Sequence, residues 1–259
     1  MRKAGEKSTV QRRVIILEML EEKGQVDVIT LSKVLGVSEV TVRNDLKRLE
    51  QKNALIRARG GAMKVDRVGT DFAISDKHKQ NYDQKKRIGK AAAELIEEGD
   101  TIILDSGTTT LEISKNLNDL AELTVITNAL NIADQLAQHP KVNVIVPGGF
   151  LRKNSLSLIG STAEESFKNY FCDKLFLAVD GLSVIYGMST PNVEEAHLNR
   201  VMMSISKQVI VVADSSKFLK RSFAYMAAIS EIDILITDDG IPIEEQRKLE
   251  SAGVKVMIV

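Results

Sequence analysis

The 259-residue chain has no tryptophan, one cysteine, four prolines and three histidines, and aromatic residues make up 4% of it. Each scarcity excludes something. A lone cysteine cannot form an internal disulfide, and Cys172, within Tyr170-Phe-Cys-Asp173, reads as a small buried apolar group in a reducing compartment. His78, His139 and His197 are too dispersed for a metal site, and none lies near Cys172 to activate it as a nucleophile. No run approaches the roughly 18 apolar residues of a membrane span. The opening Met1-Arg-Lys-Ala-Gly-Glu-Lys7 lacks the apolar centre of an export signal. A cytoplasmic protein without a resident metal or cofactor is expected.

Net charge is also missing, because 35 Lys/Arg balance 35 Asp/Glu. The balance is uneven along the chain. Residues 1–64 hold 14 basic and 8 acidic side chains, which leaves 21 and 27 for the rest. A head of net +6 thus precedes a body of net −6, the asymmetry expected when only the head meets phosphates. The length suits one large domain and one small one.

In the head, Gln11–Glu22 carries Val14, Ile15, Leu17 and Leu20 at helical recurrence before Gly24. Val28–Leu35 forms a second short helix with Leu31, Val34 and Leu35 inward, and Gly36 supplies a sharp turn. Ser38 is the expected N-cap of a third helix, with Val37 and Val42 placed as a hydrophobic staple across it. From Glu39 to Gln51, Val42, Leu46 and Leu49 make one apolar stripe. Val40, Arg43, Asn44 and Lys47 cluster opposite, with Thr41 and Arg48 flanking. A methyl-bearing side chain, a guanidinium, an amide and an ammonium suit thymine methyl, guanine edge, adenine edge and phosphate. Leu55–Val65 then reads as two short strands about Gly60-Gly61, a wing bearing Arg57, Arg59 and Lys64. Asp45 faces partly inward and is expected to orient Arg43 or cap a neighbour.

Residues 8–64 are therefore a winged helix-turn-helix, 65–83 a polar linker containing Gly69, and 84–259 the body. The body alternates short apolar runs with helical segments. Strands are expected at Thr101–Leu104, Val125-Ile126, Val142–Val146, Leu175–Val179, Val209–Val212, Ile234–Ile236 and Val254–Val259. Helices are expected at Arg87–Glu98, Leu111–Leu117, Asn131–Gln138, Ala163–Tyr170, Val193–Ser206 and Ile243–Ala252. Continuous apolar strands separated by helices indicate an α/β fold with a parallel sheet covered on both faces. Such sheets bind ligands at the carboxyl ends of their strands.

Polar residues gather at those ends. Asp105-Ser106-Gly107-Thr108-Thr109-Thr110 opens a helix and resembles a phosphate cradle of backbone N–H groups, helix dipole and hydroxyls. Thr127 and Asn128, Gly148 and Gly149 with Arg152 and Lys153, Asp180, and Lys217 after Asp214-Ser-Ser follow other strands. Together these groups suit a phosphorylated polyol.

The whole pattern resembles the DeoR family. Arg12, Ile16, Leu20, Ser38, Thr41, Val42, Arg43, Asn44, Asp45 and Leu46 match the spacing of its helix-turn-helix signature, and Arg57-Ala-Arg-Gly-Gly-Ala62 looks like its wing. Asp105–Thr110, Thr127-Asn128, Pro147-Gly-Gly149, Asp180-Gly181 and Asp214–Phe218 look like the motifs of its sensor domain, which resembles ribose-5-phosphate isomerase. The resemblance implies a DNA-binding transcription regulator, usually a repressor of a sugar or amino-sugar operon, that forms a homodimer or tetramer. Its partners would be operator DNA and a phosphorylated sugar effector. Leu104–Thr110 and His197–Arg200 look closest to regulators of N-acetylgalactosamine-type catabolism.

Two other readings compete. Isomerases of that fold carry Asp-Gly-Ala-Asp-Glu, where this chain has Asp180-Gly-Leu-Ser-Val184, and Thr190–Glu195 replaces their glycine run. Proton transfer between adjacent carbons needs a carboxylate base and a partner for the enediolate; Asp180 has lost those neighbours, although Glu194, which is also expected among the effector-binding residues, could substitute. An architectural DNA protein with an inert body would leave the polar rim unexplained.

Overall fold

The computed structural model describes residues 8–51, 55–58, 60–64, 71–117 and 122–259. The chain divides into two compact units, residues 1–67 and 68–259.

In the first unit, α1 (Thr9–Lys23) is started by a Ser8–Gln11 capping box and stopped at Gly24. Strand β1 (Gln25–Asp27) leads into α2 (Val28–Leu35), whose first turn is capped by Asp27 Oδ1 accepting from the Thr30 amide at 2.7 Å. Gly36 closes α2 at φ 67°, in the left-handed region that favours glycine. Ser38 caps α3 (Glu39–Glu50), accepting from the Thr41 amide at 3.2 Å. The hairpin β2 (Leu55–Ala58) and β3 (Gly61–Lys64) completes an antiparallel sheet in the order β1-β3-β2. Ile16, Leu20, Leu31, Val42 and Leu46 form the core, with Val37 packed against it as the staple requires. Val14 and Val34, read as inward, are about half exposed; Ile16 and Val28 take the buried positions instead.

The second unit begins inside the stretch read as linker. Among its described residues, 71–83, lie α4 (Ile74–Lys79) and the start of α5 (Tyr82–Ala93). Then follow β4 (Thr101–Leu104), α6 (Thr108–Ser114), β5 (Leu123–Ile126), α7 (Leu130–Leu136) and β6 (Val142–Ile145). The hairpin β7 (Phe150–Arg152) and β8 (Ser157–Ile159) precedes α8 (Ser161–Phe167) and β9 (Cys172–Ala178). Next come β10 (Gly181–Ser183), β11 (Gly187–Thr190), α9 (Val193–Ser204), β12 (Ser206–Val212) and β13 (Ala224–Ala227). Finally come β14 (Ile234–Thr237), α10 (Ile243–Ser251) and β15 (Lys255–Ile258).

Seven strands pair in parallel in the order β15-β14-β12-β9-β4-β5-β6. Alternate residues feed opposite cores, which is why the central strands carry continuous apolar runs such as Ile102–Leu104 and Leu175–Leu177. Ile102, Leu104 and Phe176 meet Ile88, Ile113 and Ile132 of α5–α7. Ile103, Leu175 and Leu177 meet Phe167, Leu198 and Leu249 of α8–α10. All seven expected strands and the six expected helices are present, with boundaries moved by a few residues; α5 starts five residues before Arg87 and stops at Ala93. Two small antiparallel sheets, β7-β8 and β10-β11-β13, were not foreseen. Among the described residues no helix is long and apolar enough to cross a membrane.

The chain runs from β4 outward through β5 and β6, then returns to the other side of β4 as β9 and continues through β12. Strand order therefore reverses between β4 and β9. A crevice opens at the carboxyl ends of strands that diverge in this way, with no crossover to fill it.

Candidate functional site

In the first unit, α3 presents the face that the sequence assigned to DNA. Val40, Arg43, Asn44, Lys47 and Arg48 are exposed, Thr41 is partly so, and Ser38 serves as the cap. Arg57 on β2 is exposed as well; Arg59 lies outside the described residues. Arg43 is steadied by Glu39, one turn back, at 2.7 Å. Asp45 does not orient Arg43. It is 2% exposed and accepts from Arg12 Nε and Arg13 Nε, each at 2.9 Å, so that α3 is tied to α1 by a carboxylate between two guanidinium groups.

In the second unit, two adjoining clefts of about 390 and 380 Å³ open at the switch point. Ser106, Gly107, Thr108, Asp180 and Lys77 line both of them. The β4–α6 turn reaches this position because Gly107 lacks a side chain, since a Cβ there would stand 2.7 Å from that of Ala178 on β9. The expected helix dipole is a minor contributor, because α6 has only seven residues.

Lysines supply the positive charge instead. Lys77, Lys85 and Lys217 line the second cleft with Thr109. Lys77 Nζ meets both carboxylate oxygens of Asp180, at 2.8 and 2.9 Å, and Lys217 meets one at 3.3 Å. Burial alone would raise the Asp180 pKa, but Lys217 and Lys77 outweigh it and hold the group at about 2. Lys85 is 3% exposed and donates to the carbonyls of Lys77 and Gln80 at 2.5 and 2.7 Å. Burial, with Lys217 and Lys77 nearby and Asp214 opposing, brings its pKa down to about 8.

The first cleft has the opposite character. Asp105, Glu195, Asn199, Asn154, Ser155 and Thr190 line it. Burial, reinforced by Glu195, pushes the Asp105 pKa up to about 8 against two backbone N–H groups that favour the anion. Glu195 and Asn199 stand four residues apart on one face of α9. Glu195 accepts from Arg152 at 2.9 Å and from Thr190 at 3.1 Å. Arg152 also pairs with Asp71.

Of the fifteen residues assigned to an effector, Asp105, Ser106, Gly107, Thr108, Thr109, Asp180 and Lys217 line the clefts. The other eight do not. Thr110 is buried and bonds the Gly107 carbonyl; Thr127 is buried and bonds the Leu104 carbonyl at 2.7 Å. Asn128 is buried against the β8 backbone, and Gly148 and Gly149 turn the chain into β7. Arg152 acts through Glu195, while Lys153 and Glu194 are exposed. Glu194 is displaced by its neighbour, because α9 aims Glu195 rather than Glu194 at the cleft. Lys77, Lys85, Glu195 and Asn199 were missed. One signal was available for Lys85, which shares the spacing of the buried Ile88, Gly89 and Ala92 stripe of α5.

Comparison with known proteins assigns both units. Residues 12–68 match the DeoR-like helix-turn-helix domain, and residues 80–239 match the DeoR C-terminal sensor domain. A relative from Escherichia coli O157:H7 that carries the name aga operon transcriptional repressor is 41% identical, covering 99% of this chain and 97% of its own. GlcR of Bacillus subtilis, named as a transcriptional repressor, is 38% identical over 88% of each chain. Ribose 5-phosphate isomerase A of Methanocaldococcus jannaschii superposes with a TM-score of 0.41 at 16% identity, covering 54% of this chain and 56% of that one, too loosely to bear on function. With both units matched in order and relatives aligned nearly end to end, the chain belongs to the DeoR family of DNA-binding transcriptional regulators and not to the enzymes.

Proposed function

We propose that this regulator represses a sugar-catabolic operon in the cytoplasm and leaves its operator when a phosphorylated sugar enters the clefts between β4 and β9. The observation that carries the reading is the convergence of Lys77, Lys85 and Lys217 beside the Ser106–Thr109 turn. Three cations against the carboxylates of Asp180 and Asp214 leave a local surplus of positive charge, which a phosphate would neutralise. The neighbouring acceptors would hold the polyol.

On the DNA side, α3 would enter the major groove with Arg43, Asn44 and Lys47 at base edges or nearby phosphates, and Arg57 would reach the backbone from the wing. A single winged helix binds weakly, so a homodimer or tetramer pairing heads across repeated half-sites is expected. The effector acts only through differential affinity for two arrangements, and about 100-fold would supply roughly 2.7 kcal/mol.

A thermal-shift panel of phosphorylated sugars, run beside operator release in a mobility assay, tests the proposal. A ligand at 100 times its Kd stabilises the protein by about 2.7 kcal/mol. Stabilisation and operator release by the same compound support the reading. Absence of both across the panel refutes it.

A further inference from the structure

We infer that the effector is zwitterionic, carrying a free protonated amine as well as its phosphate, and that Asp105, Glu195 and Asn199 receive the amine. The inference rests on the phosphorylated-sugar reading and adds the chemistry of the ligand's second end.

Three carboxylates, Asp105, Asp180 and Glu195, line the first cleft against one lysine, Lys77. Asp105 is 3% exposed, and its carboxylate is met by the Ala178 amide at 3.3 Å and the Ser106 hydroxyl at 3.5 Å, both long contacts, and by the Ser106 backbone N–H. Asn199 is 4% exposed. Its Nδ2 points at Met226 Sδ, 3.8 Å away, and the residue borders the cleft. A ligand that supplies donors adds hydrogen bonds to these acceptors. An ammonium brings three N–H donors, one for each of the three residues.

Charge decides between an ammonium and hydroxyl groups. Glu195 is paired with Arg152, but Arg152 is shared with Asp71, so these two carboxylates draw on one guanidinium, and Lys77, which also lines this cleft, is held by Asp180. With Asp105 ionised this end carries two uncompensated negative charges. Burial disfavours a charge on Asp105 most, and repulsion from Glu195 on α9 and, less, from Asp180 beyond β9 adds to it. A neutral hydroxyl leaves that repulsion in place; a cation removes it. The lysine-lined cleft next door has the opposite imbalance. Since Ser106, Gly107, Thr108, Asp180 and Lys77 border both clefts, one small molecule can span them. An N-acetyl group would forfeit the charge and two of the three donors.

Titration calorimetry on the full chain provides the test, comparing glucosamine 6-phosphate and galactosamine 6-phosphate with their N-acetylated forms and with the matching hexose 6-phosphates. The free amines should bind at least about tenfold more tightly, and Asp105→Asn should bring that ratio towards one. At pH 7, where Asp105 is mostly protonated, amine binding should also release a proton, read from the heat in buffers of different ionisation enthalpy. This second readout needs no variant. Equal or weaker binding of the amines overturns the inference and leaves the sugar-phosphate reading intact. So would magnesium ions raising the hexose phosphates to the amines' affinity, which would assign the acceptors to a metal. Failure of every phosphorylated sugar to bind overturns both.

Discussion

Replacing Asp45 by alanine tests how the recognition helix is held. The carboxylate side chain is 3% exposed and receives two guanidinium donors, Arg12 Nε and Arg13 Nε, each at 2.9 Å. Removing it affects the two arginines unequally. The Arg13 side chain is 29% exposed and rehydrates readily, so its share resembles the ~0–1 kcal/mol of a surface pair. The Arg12 side chain is 12% exposed and is left beside the void. Its share leans towards the ~3–5 kcal/mol seen when one partner of a buried pair is deleted, reduced by the route to water that remains. A total of about 2–3 kcal/mol follows.

The head has little stability in reserve. Among its described residues eleven buried apolar side chains make its core, and a unit of this size has roughly 3–9 kcal/mol in all. At ~4–8 °C per kcal/mol for small domains, its melting transition should fall by on the order of 10–20 °C. Calorimetry of the full chain would follow it, with operator DNA added to identify the head's transition and the body's transition as internal reference. Asp45→Asn, which keeps the shape and one acceptor, should fall between wild type and Asp45→Ala. If Asp45→Ala leaves the head's transition in place but weakens operator binding as Arg43→Ala does, Asp45 serves Arg43 and the account of the α1–α3 tether is wrong.

Arg43→Ala should weaken specific operator binding by about 1–3 kcal/mol and relax preference at one base position, with effector binding unchanged; equal loss on random DNA would exclude base contact. Arg57→Ala should weaken binding evenly across sequences and lower the salt-dependence slope by about 1, measured by anisotropy titrations at several salt concentrations. Thr109→Val should remove the response to phosphorylated sugars while operator affinity persists; release by effector at the wild-type concentration would place the ligand elsewhere. Asp105→Asn should stabilise the body, and the sign follows from linkage. The folded chain keeps a proton up to about pH 8 that the unfolded chain sheds near 3.8, so wild-type stability falls as pH rises through that window. The melting-temperature gain of the variant should therefore widen from pH 5 to pH 8 and level off above; a gain that narrows over this range refutes the assignment.

The sequence revealed the elements whose own residues dictate them. Strands such as Ile102–Leu104 and Leu175–Leu177 are apolar on both sides because helices cover both faces of the sheet, and that requirement is visible in one dimension. Ser38, Gly36 and the Val42/Leu46/Leu49 stripe specify the helix-turn-helix locally. Strands β10 and β11, Gly181-Leu-Ser183 and Gly187-Met-Ser-Thr190, have neither length nor alternation, and they exist through pairing with each other and with β13. The same division runs through the site. Asp105, Ser106, Gly107, Asp180 and Lys217 were found because they follow strands, where the fold itself directs ligands. Lys85, Glu195 and Asn199 lie on helices, where a polar residue ordinarily faces water.

Helix α4 explains why the remaining wall of the site went unread. Its six residues have no side-chain cap and none is buried, so composition alone marks a linker. Distant partners hold it in place. Asp71 reaches Arg152 and Asn154, the Ile74 amide donates to the Asn154 carbonyl at 2.7 Å, Lys77 grips Asp180, and the carbonyls of Lys77 and Gln80 receive Lys85. These tethers use the groups that line the clefts. A phosphate that meets Lys77 competes with Asp180 for it, and a cation that meets Glu195 competes with Arg152, whose other partner is Asp71. A ligand bound there would therefore be thermodynamically linked to the anchoring of residues 71–79 through shared side chains. Those residues are also the first described part of the body after the head in sequence.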